Sequence, residues 1–239
     1  AAAAGAQLVA LPELCWWRGP GHRYRDHAVA VPGPFTDHLG SIAARYRIHL
    51  AAGTVLEAAP EGRCYNTALL FGPDGRLLAR YRKIHLFDVA IEGGPQARES
   101  ERIAPGEAVV AVETELGVLG LAICYDLRFP ELFRRLADRG VEVVLLPSAF
   151  TRHTGRAHWQ LLLRARAVED QCYVVAPGLI GPMENGTPTF GHSMVVDPWG
   201  RVVARLRTEE GIATAPVDLE RLHRIREQLP ALAHRRLAG

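Results

Sequence analysis

Three positions in the chain put a reactive or charged side chain where an apolar run ends. Cys124 closes the apolar segment 117–124, just before an Asp126-Leu127-Arg128 turn and a helical pattern starting near Pro130. A side chain so placed sits at the carboxyl end of a buried strand, where α/β folds gather ligands. The backbone N–H groups beyond it can face developing negative charge. Cys124 reads either as a nucleophile or as a small buried hydrophobe. Glu13 follows the apolar run 7–12, and an unpaired carboxylate there is costly. Burial favours its neutral form and makes it a usable base, unless it is an exposed cap of the next segment. Lys83 lies in the dense polar patch 81–88. Alternation in a strand there puts Lys83 and His85 on one face, the plainer alternative being a charged, solvated sheet edge.

Other chemistry has less support. The four cysteines, Cys15, Cys64, Cys124 and Cys172, lie 49, 60 and 48 residues apart, without the paired spacing of a zinc site. Gly191-His192-Ser193-Met194 starts like a serine-hydrolase elbow, but Val195 occupies the place of its second glycine. No glycine-rich phosphate loop is present. His153 and His158 are five apart across a Thr-Gly pair read as a turn, poor spacing for a metal. The arginines after Leu219 read as a solvated helix face or a subunit contact. The sequence therefore implies no cofactor and no metal.

The elements that must carry these residues alternate. Strands are expected at 7–12, 48–55, 65–71, 76–81, 117–124, 141–146, 172–176, 194–196, 202–205 and 213–217. Helices are expected at 36–46, 129–139, 158–170 and beyond 219. Residues 72–75, Gly-Pro-Asp-Gly, mark a hairpin, and 197–200 mark another. Strand–helix–strand stretches mixed with hairpins indicate α/β with mixed sheets. The twenty residues 88–107 lack periodicity, and a loop that long is more often functional than idle.

Composition bounds the function. The 239 residues, 48% hydrophobic and 23% charged, make an ordinary globule, read as a single domain over 1–239. A net charge of +2 gives no reason to expect nucleic acid or an acidic membrane surface. No apolar run reaches the roughly 20 residues of a membrane span. With no leader read at its start and no need of disulfide staples, the chain is expected in the cytoplasm.

Taken in order, the three sites become specific. Glu13 and Lys83 are 70 residues apart, and Lys83 and Cys124 are 41 apart. With residues 124–132, 147–159, 162–175 and 191–200, they resemble the nitrilase superfamily of carbon–nitrogen hydrolases, most of all its Nit branch. The resemblance spans nearly the whole chain. It implies a four-layer α-β-β-α sandwich that pairs as a homodimer or higher homo-oligomer, with a Glu-Lys-Cys triad. Cys124 is then the nucleophile that forms a thioester, and Glu13 the general base. Lys83 favours thiolate and, with the backbone N–H of Tyr125, stabilises the oxyanion. A further glutamate near the lysine matches Glu99, sixteen residues on, with Glu92 and Glu101 as neighbours.

The implied activity is hydrolysis of a terminal carboxamide in a small carboxylate-bearing molecule, deaminated glutathione or the ω-amide of a keto acid, releasing ammonia. Arg128 is the candidate for the substrate carboxylate, or a structural ion pair with Glu131 or Asp126. Nitrile or N-carbamoyl hydrolysis are the enzymatic alternatives, and a non-catalytic scaffold is the alternative of another class. Two departures stand out. The chain starts inside what would be the first helix, so the first strand and part of that helix are expected to be missing. Residues 177–180, Pro-Gly-Leu-Ile, are less polar than the resemblance implies and bear on substrate preference.

Overall fold

The computed structural model describes residues 1–183 and 186–237. Four strands form the first sheet in the order β1 (Leu8–Ala10), β2 (His49–Ala58), β3 (Cys64–Phe71) and β4 (Leu77–Arg82). β1 runs parallel to β2, and the rest are antiparallel. β2 and β3 read as near-continuous apolar runs because both of their faces are covered. One face meets α1 (Pro34–Tyr46), which packs Leu39 and Ala43 against Leu50, Leu69 and Phe71. The other face brings Ala68, Leu70 and Tyr81 against the second sheet.

That sheet has six strands, formed by β7 (Val110–Thr114), β8 (Gly117–Leu121), β9 (Val143–Leu145), β10 (Tyr173–Ala176), β11 (Met194–Val196) and β12 (Val202–Arg205). β8, β9 and β10 are parallel, linked by α2 (Pro130–Asp138) and α3 (Arg152–Glu169), and the outer strands are antiparallel. α2 and α3 cover its outer face through Leu132, Phe133, Leu136, Trp159 and Leu163. The layers are thus helix, sheet, sheet, helix, the sandwich that the sequence implied. A last helix, α4 (Leu219–Gln228), seats Leu222 and Ile225. At the other end, Ala2–Ala4 form one 3-10 turn before β1, an edge strand that is half-buried.

Several local expectations change. Residues 213–217 form no strand: Pro216 lacks an N–H, and the sheet ends at β12. β7 was not anticipated, since an edge strand exposed on one side carries a weak apolar signal. Within 88–107 a small hairpin pairs β5 (Asp88–Ala90) with β6 (Gln96–Arg98). α3 begins at Arg152, six residues earlier than expected, and carries both His153 and His158. Gly155 is there for close packing, since an added Cβ would lie 2.4 Å from the ring of Phe190. β4 ends at Arg82, so Lys83 and His85 do not share the face of a strand.

Candidate active site

The segment carrying Glu13 leaves β1 and docks on a distortion of β2. The β2–β3 register shifts between Ala51 and Thr54, where Gly53 adopts φ +68°. A Cβ at Gly53 would lie 2.2 Å from the carbonyl oxygen of Pro12, so only glycine admits this approach. Thr54 Oγ1 then accepts the N–H of Leu14 at 2.9 Å. Glu13 is thereby driven inward and is 3% exposed. The costly unpaired carboxylate is avoided, and Glu13 is no exposed cap. It accepts from Asn66 Nδ2 at 2.8 Å, Lys83 Nζ at 3.1 Å and the N–H of Ala149 at 2.8 Å. These donors come from segments at the ends of both sheets, so the three bonds form together only when the sandwich is closed.

Lys83 sits one residue past β4. Its N–H donates to Asn66 O, and its own carbonyl accepts from Gly106 N at 2.8 Å. Gly106 packs flat on this backbone, where a Cβ would lie 2.2 Å from Arg82 O. The ammonium bridges Glu13 and Glu99, reaching the two Glu99 oxygens at 3.1 and 2.9 Å. Glu99 opens the 3-10 turn Glu99–Glu101 and also accepts the N–H of Phe87 at 2.6 Å. Glu92 and Glu101, its neighbours in the loop, are exposed. Asn66 was not singled out as a site residue. Its signal was a polar side chain inside an otherwise apolar strand.

Cys124 opens a 3-10 segment, Cys124–Arg128, with φ +45°. A non-glycine residue in this left-handed region is strained and must be held by its surroundings. Asp126, fully buried, supplies the hold. One oxygen accepts from Ile123 N at 2.8 Å and Tyr81 OH at 2.7 Å. The other meets His85 through its backbone N–H at 3.0 Å and Nδ1 at 2.7 Å. Asp126 thus bolts the turn of Cys124 to the segment that carries Lys83.

This leaves no Asp126 oxygen for Arg128, and Arg128 makes no ion pair with Glu131 either. Its guanidinium lies over the rings of Tyr125 and Phe150, 5.7 and 5.3 Å from their centroids, with His158 Nδ1 at 3.3 Å. Tyr125 and Phe150 line a cavity of about 410 Å3 into which Glu13, Lys83, Glu99 and Cys124 open. Arg128 stands behind that wall. The cavity rim instead carries Arg18, Arg98 and Arg102, none of which the sequence marked, because exposed arginines form no pattern. Leu179, from the unusually apolar 177–180 segment, does face the cavity.

The electrostatics suit proton transfer. Burial opposes the Lys83 charge, but the carboxylates of Glu13 and Glu99 outweigh it and hold the ammonium well above its ordinary pKa. Burial pushes the Cys124 thiol well above the usual thiol range, and the Glu13 charge adds to this while Lys83 opposes it. Burial beside the Glu13 charge therefore favours a thiol at rest, not the thiolate expected beside a lysine. A strained thiol, a carboxylate and a fixed cation around one cavity are what nucleophilic acyl chemistry needs. Among the described residues, no three His, Cys, Asp or Glu side chains are grouped to hold a metal ion, and no helix is long and apolar enough to cross a membrane.

Comparison with known proteins agrees with this chemistry. The carbon–nitrogen hydrolase family model matches residues 1–227. The chain is 41% identical over 235 residues to a deaminated glutathione amidase of Synechocystis sp., covering 97% of this chain and 86% of the relative. It is 42% identical over 237 residues to the omega-amidase NIT2 of Homo sapiens, covering 99% and 85%. The crystal structure of Saccharomyces cerevisiae Nit3 superposes with a TM-score of 0.86 at 35% identity, covering 97% and 83%. With fold and sequence in agreement over nearly its whole length, the chain belongs to the carbon–nitrogen hydrolases, enzymes that hydrolyse amide C–N bonds.

Proposed function

We propose that this chain, working as one domain over residues 1–239, hydrolyses the terminal carboxamide of a small carboxylate-bearing molecule, with Cys124 as nucleophile. The observation that carries this reading is the Lys83 ammonium bridging Glu13 and Glu99 at the cavity that Cys124 also lines. Glu13 takes the thiol proton as sulfur attacks the amide carbon. Lys83 and the backbone N–H of Tyr125 face the oxyanion, and one such donor is worth about 3 kcal/mol. Collapse breaks the C–N bond, and the proton on Glu13 passes to the departing ammonia. Water then attacks the thioester, giving its proton to Glu13, which returns it to sulfur as the carboxylic acid leaves. Glu99 holds the Lys83 ammonium in place throughout.

The names of the relatives support two substrate classes, an ω-amide and deaminated glutathione. The ω-amide releases ammonia by these steps, whereas the amide nitrogen of deaminated glutathione would leave as an amine and take the Glu13 proton in place of ammonia. Two further elements of the reading rest on surface and redox chemistry. Leu161 and Val168 on the outer face of α3 are 66% and 49% exposed, and Trp199 beside them is 54% exposed. Arg164 Nε, on that face, donates to Gly200 O at 2.7 Å and joins it to the β11–β12 hairpin. Such an apolar face supports a homodimer. All four cysteines are free, which supports a reducing compartment such as the cytoplasm.

The test is ammonia release from α-ketoglutaramate and from a simple nitrile, with Cys124→Ala as control. Release from the amide that vanishes in the variant is expected. Release from the nitrile alone would move the chain to nitrilase chemistry.

A further inference from the structure

The cavity carries more positive charge than its core uses. Its two inner carboxylates, buried Glu13 and half-buried Glu99, are both committed to Lys83. Arg18, Arg98 and Arg102 line the same cavity and are exposed. Arg18 donates to Pro182 O at 2.7 Å, a neutral acceptor that leaves its charge uncompensated. Arg98 stands opposite Asp88 in the β5–β6 pair and acts on it electrostatically. Arg102 makes no ion pair among the described residues. It follows the Glu99–Glu101 turn by one residue, so it hangs from the same turn that holds the Lys83 partner. Its stem lies along Gly21, where a Cβ would come within 3.2 Å of Arg102 Cδ. The guanidinium is thereby placed at the cavity wall with its donors unspent.

Resting on the amidase reading above, we propose that Arg102 determines specificity by binding a carboxylate at the end of the substrate remote from the scissile amide, with Arg98 and Arg18 adding to the local field. A guanidinium suits a carboxylate through two parallel N–H bonds. Facing water, the pair is screened, so it sets preference more than rate. A cavity of about 410 Å3 is of the size that takes ligands larger than a five-carbon amide, leaving room between Cys124 and the rim. The chain therefore favours amides long enough to place their anionic end at Arg102.

The test uses two primary amides of equal length, one ending in a carboxylate and one in its methyl ester. The ratio of their kcat/KM values is read by ammonia release for the parent, Arg102→Gln, Arg102→Lys and Arg128→Gln. The parent is expected to favour the carboxylate by roughly tenfold. Arg102→Gln should bring the ratio close to one, through KM rather than kcat. Arg102→Lys should restore part of it, and added salt should lower it in the parent. A ratio that survives Arg102→Gln, or that collapses only in Arg128→Gln, overturns the assignment. Equal cleavage of both amides by the parent overturns it while the amidase reading stands. Ammonia from neither amide overturns both.

Discussion

Arg82 and Lys83 are consecutive residues at the end of β4, yet they serve two different charge clusters. Arg82 grips Glu57 with Nε at 3.0 Å and a second nitrogen at 2.6 Å. Arg80 and Thr67 approach the same carboxylate at 3.4 and 2.8 Å. One acid is there met by two guanidinium groups, neither of which can release a proton. Lys83 reverses the balance: one ammonium serves two carboxylates, and a buried thiol lies on the same cavity. Both clusters are hydrogen-bonded ion sets centred on a buried carboxylate, although Arg80 and Arg82 reach toward solvent. Only the second opens on a cavity and contains a proton with somewhere to go. Burial of charge alone does not mark a catalytic site, whereas an unsaturated cluster next to a nucleophile does.

The sharpest way to break this comparison is to remove each cation in turn. Lys83→Met should lower kcat/KM on the order of 10^3-fold. It should also cost about 3–5 kcal/mol of stability, because Glu13 and Glu99 lose their shared partner. Arg82→Met should cost about 1–3 kcal/mol, with kcat/KM within about twofold of the parent, since Arg80 and Thr67 remain on Glu57. Urea unfolding and ammonia release separate the two effects. If folded Arg82→Met is as inactive as Lys83→Met, the clusters act as one.

Asp126→Asn tests what holds the catalytic cluster together. The amide cannot accept from both Tyr81 and His85 as the carboxylate does, so a loss of about 1–3 kcal/mol and a lower kcat are expected. Alkylation should distinguish the thiols. Iodoacetamide should modify Cys124 first, because it faces the cavity with a base beside it, whereas Cys15, Cys64 and Cys172 do not line that cavity. Mass spectrometry of digested protein reads the order.

The smallest effects are in the pH dependence of stability, where two acids should have opposite signs. Burial pushes Glu57 up, but the bonds from Arg82 and Thr67 and the arginine charges hold it below the ordinary carboxylate value. Its stabilisation is complete above pH about 4.3 and is lost as pH falls through the lowered value. Glu57→Gln should flatten the acid limb of a stability–pH curve. Asp170 is raised to about 6, chiefly by burial, with Arg134 opposing. Its contribution is present below the ordinary value and is lost as pH rises through about 6. Asp170→Asn should therefore gain on the parent between pH about 4 and 7, as read by urea midpoints.

The residues the sequence exposed were those that broke an apolar pattern. Glu13 and Cys124 interrupt runs that otherwise bury, and the structure brings both to one cavity with Lys83. Glu99 lies in a stretch without periodicity and was reached only through the family resemblance. Asp126 was visible only as one alternative partner for Arg128, and its acceptors are filled instead by groups including Tyr81 and His85, 45 and 41 residues away. Arg18, Arg98 and Arg102 left no trace, since nothing local separates a cavity-lining arginine from a solvated one. For the fold, paired hairpins were legible from their turns. The strand expected at 213–217 was not excluded by composition, and its absence depends on where the sheet ends.

The Asp126 carboxyl also has a consequence for motion. It accepts the amides of both Ile123 and His85, one on the cysteine turn and one on the lysine segment. Neither amide can reach solvent deuterium through this bond without the carboxyl letting go. The two halves of the site should therefore exchange with a common opening free energy, as a single cooperative unit formed from segments far apart in the chain. Substrate that orders either half would slow exchange in both.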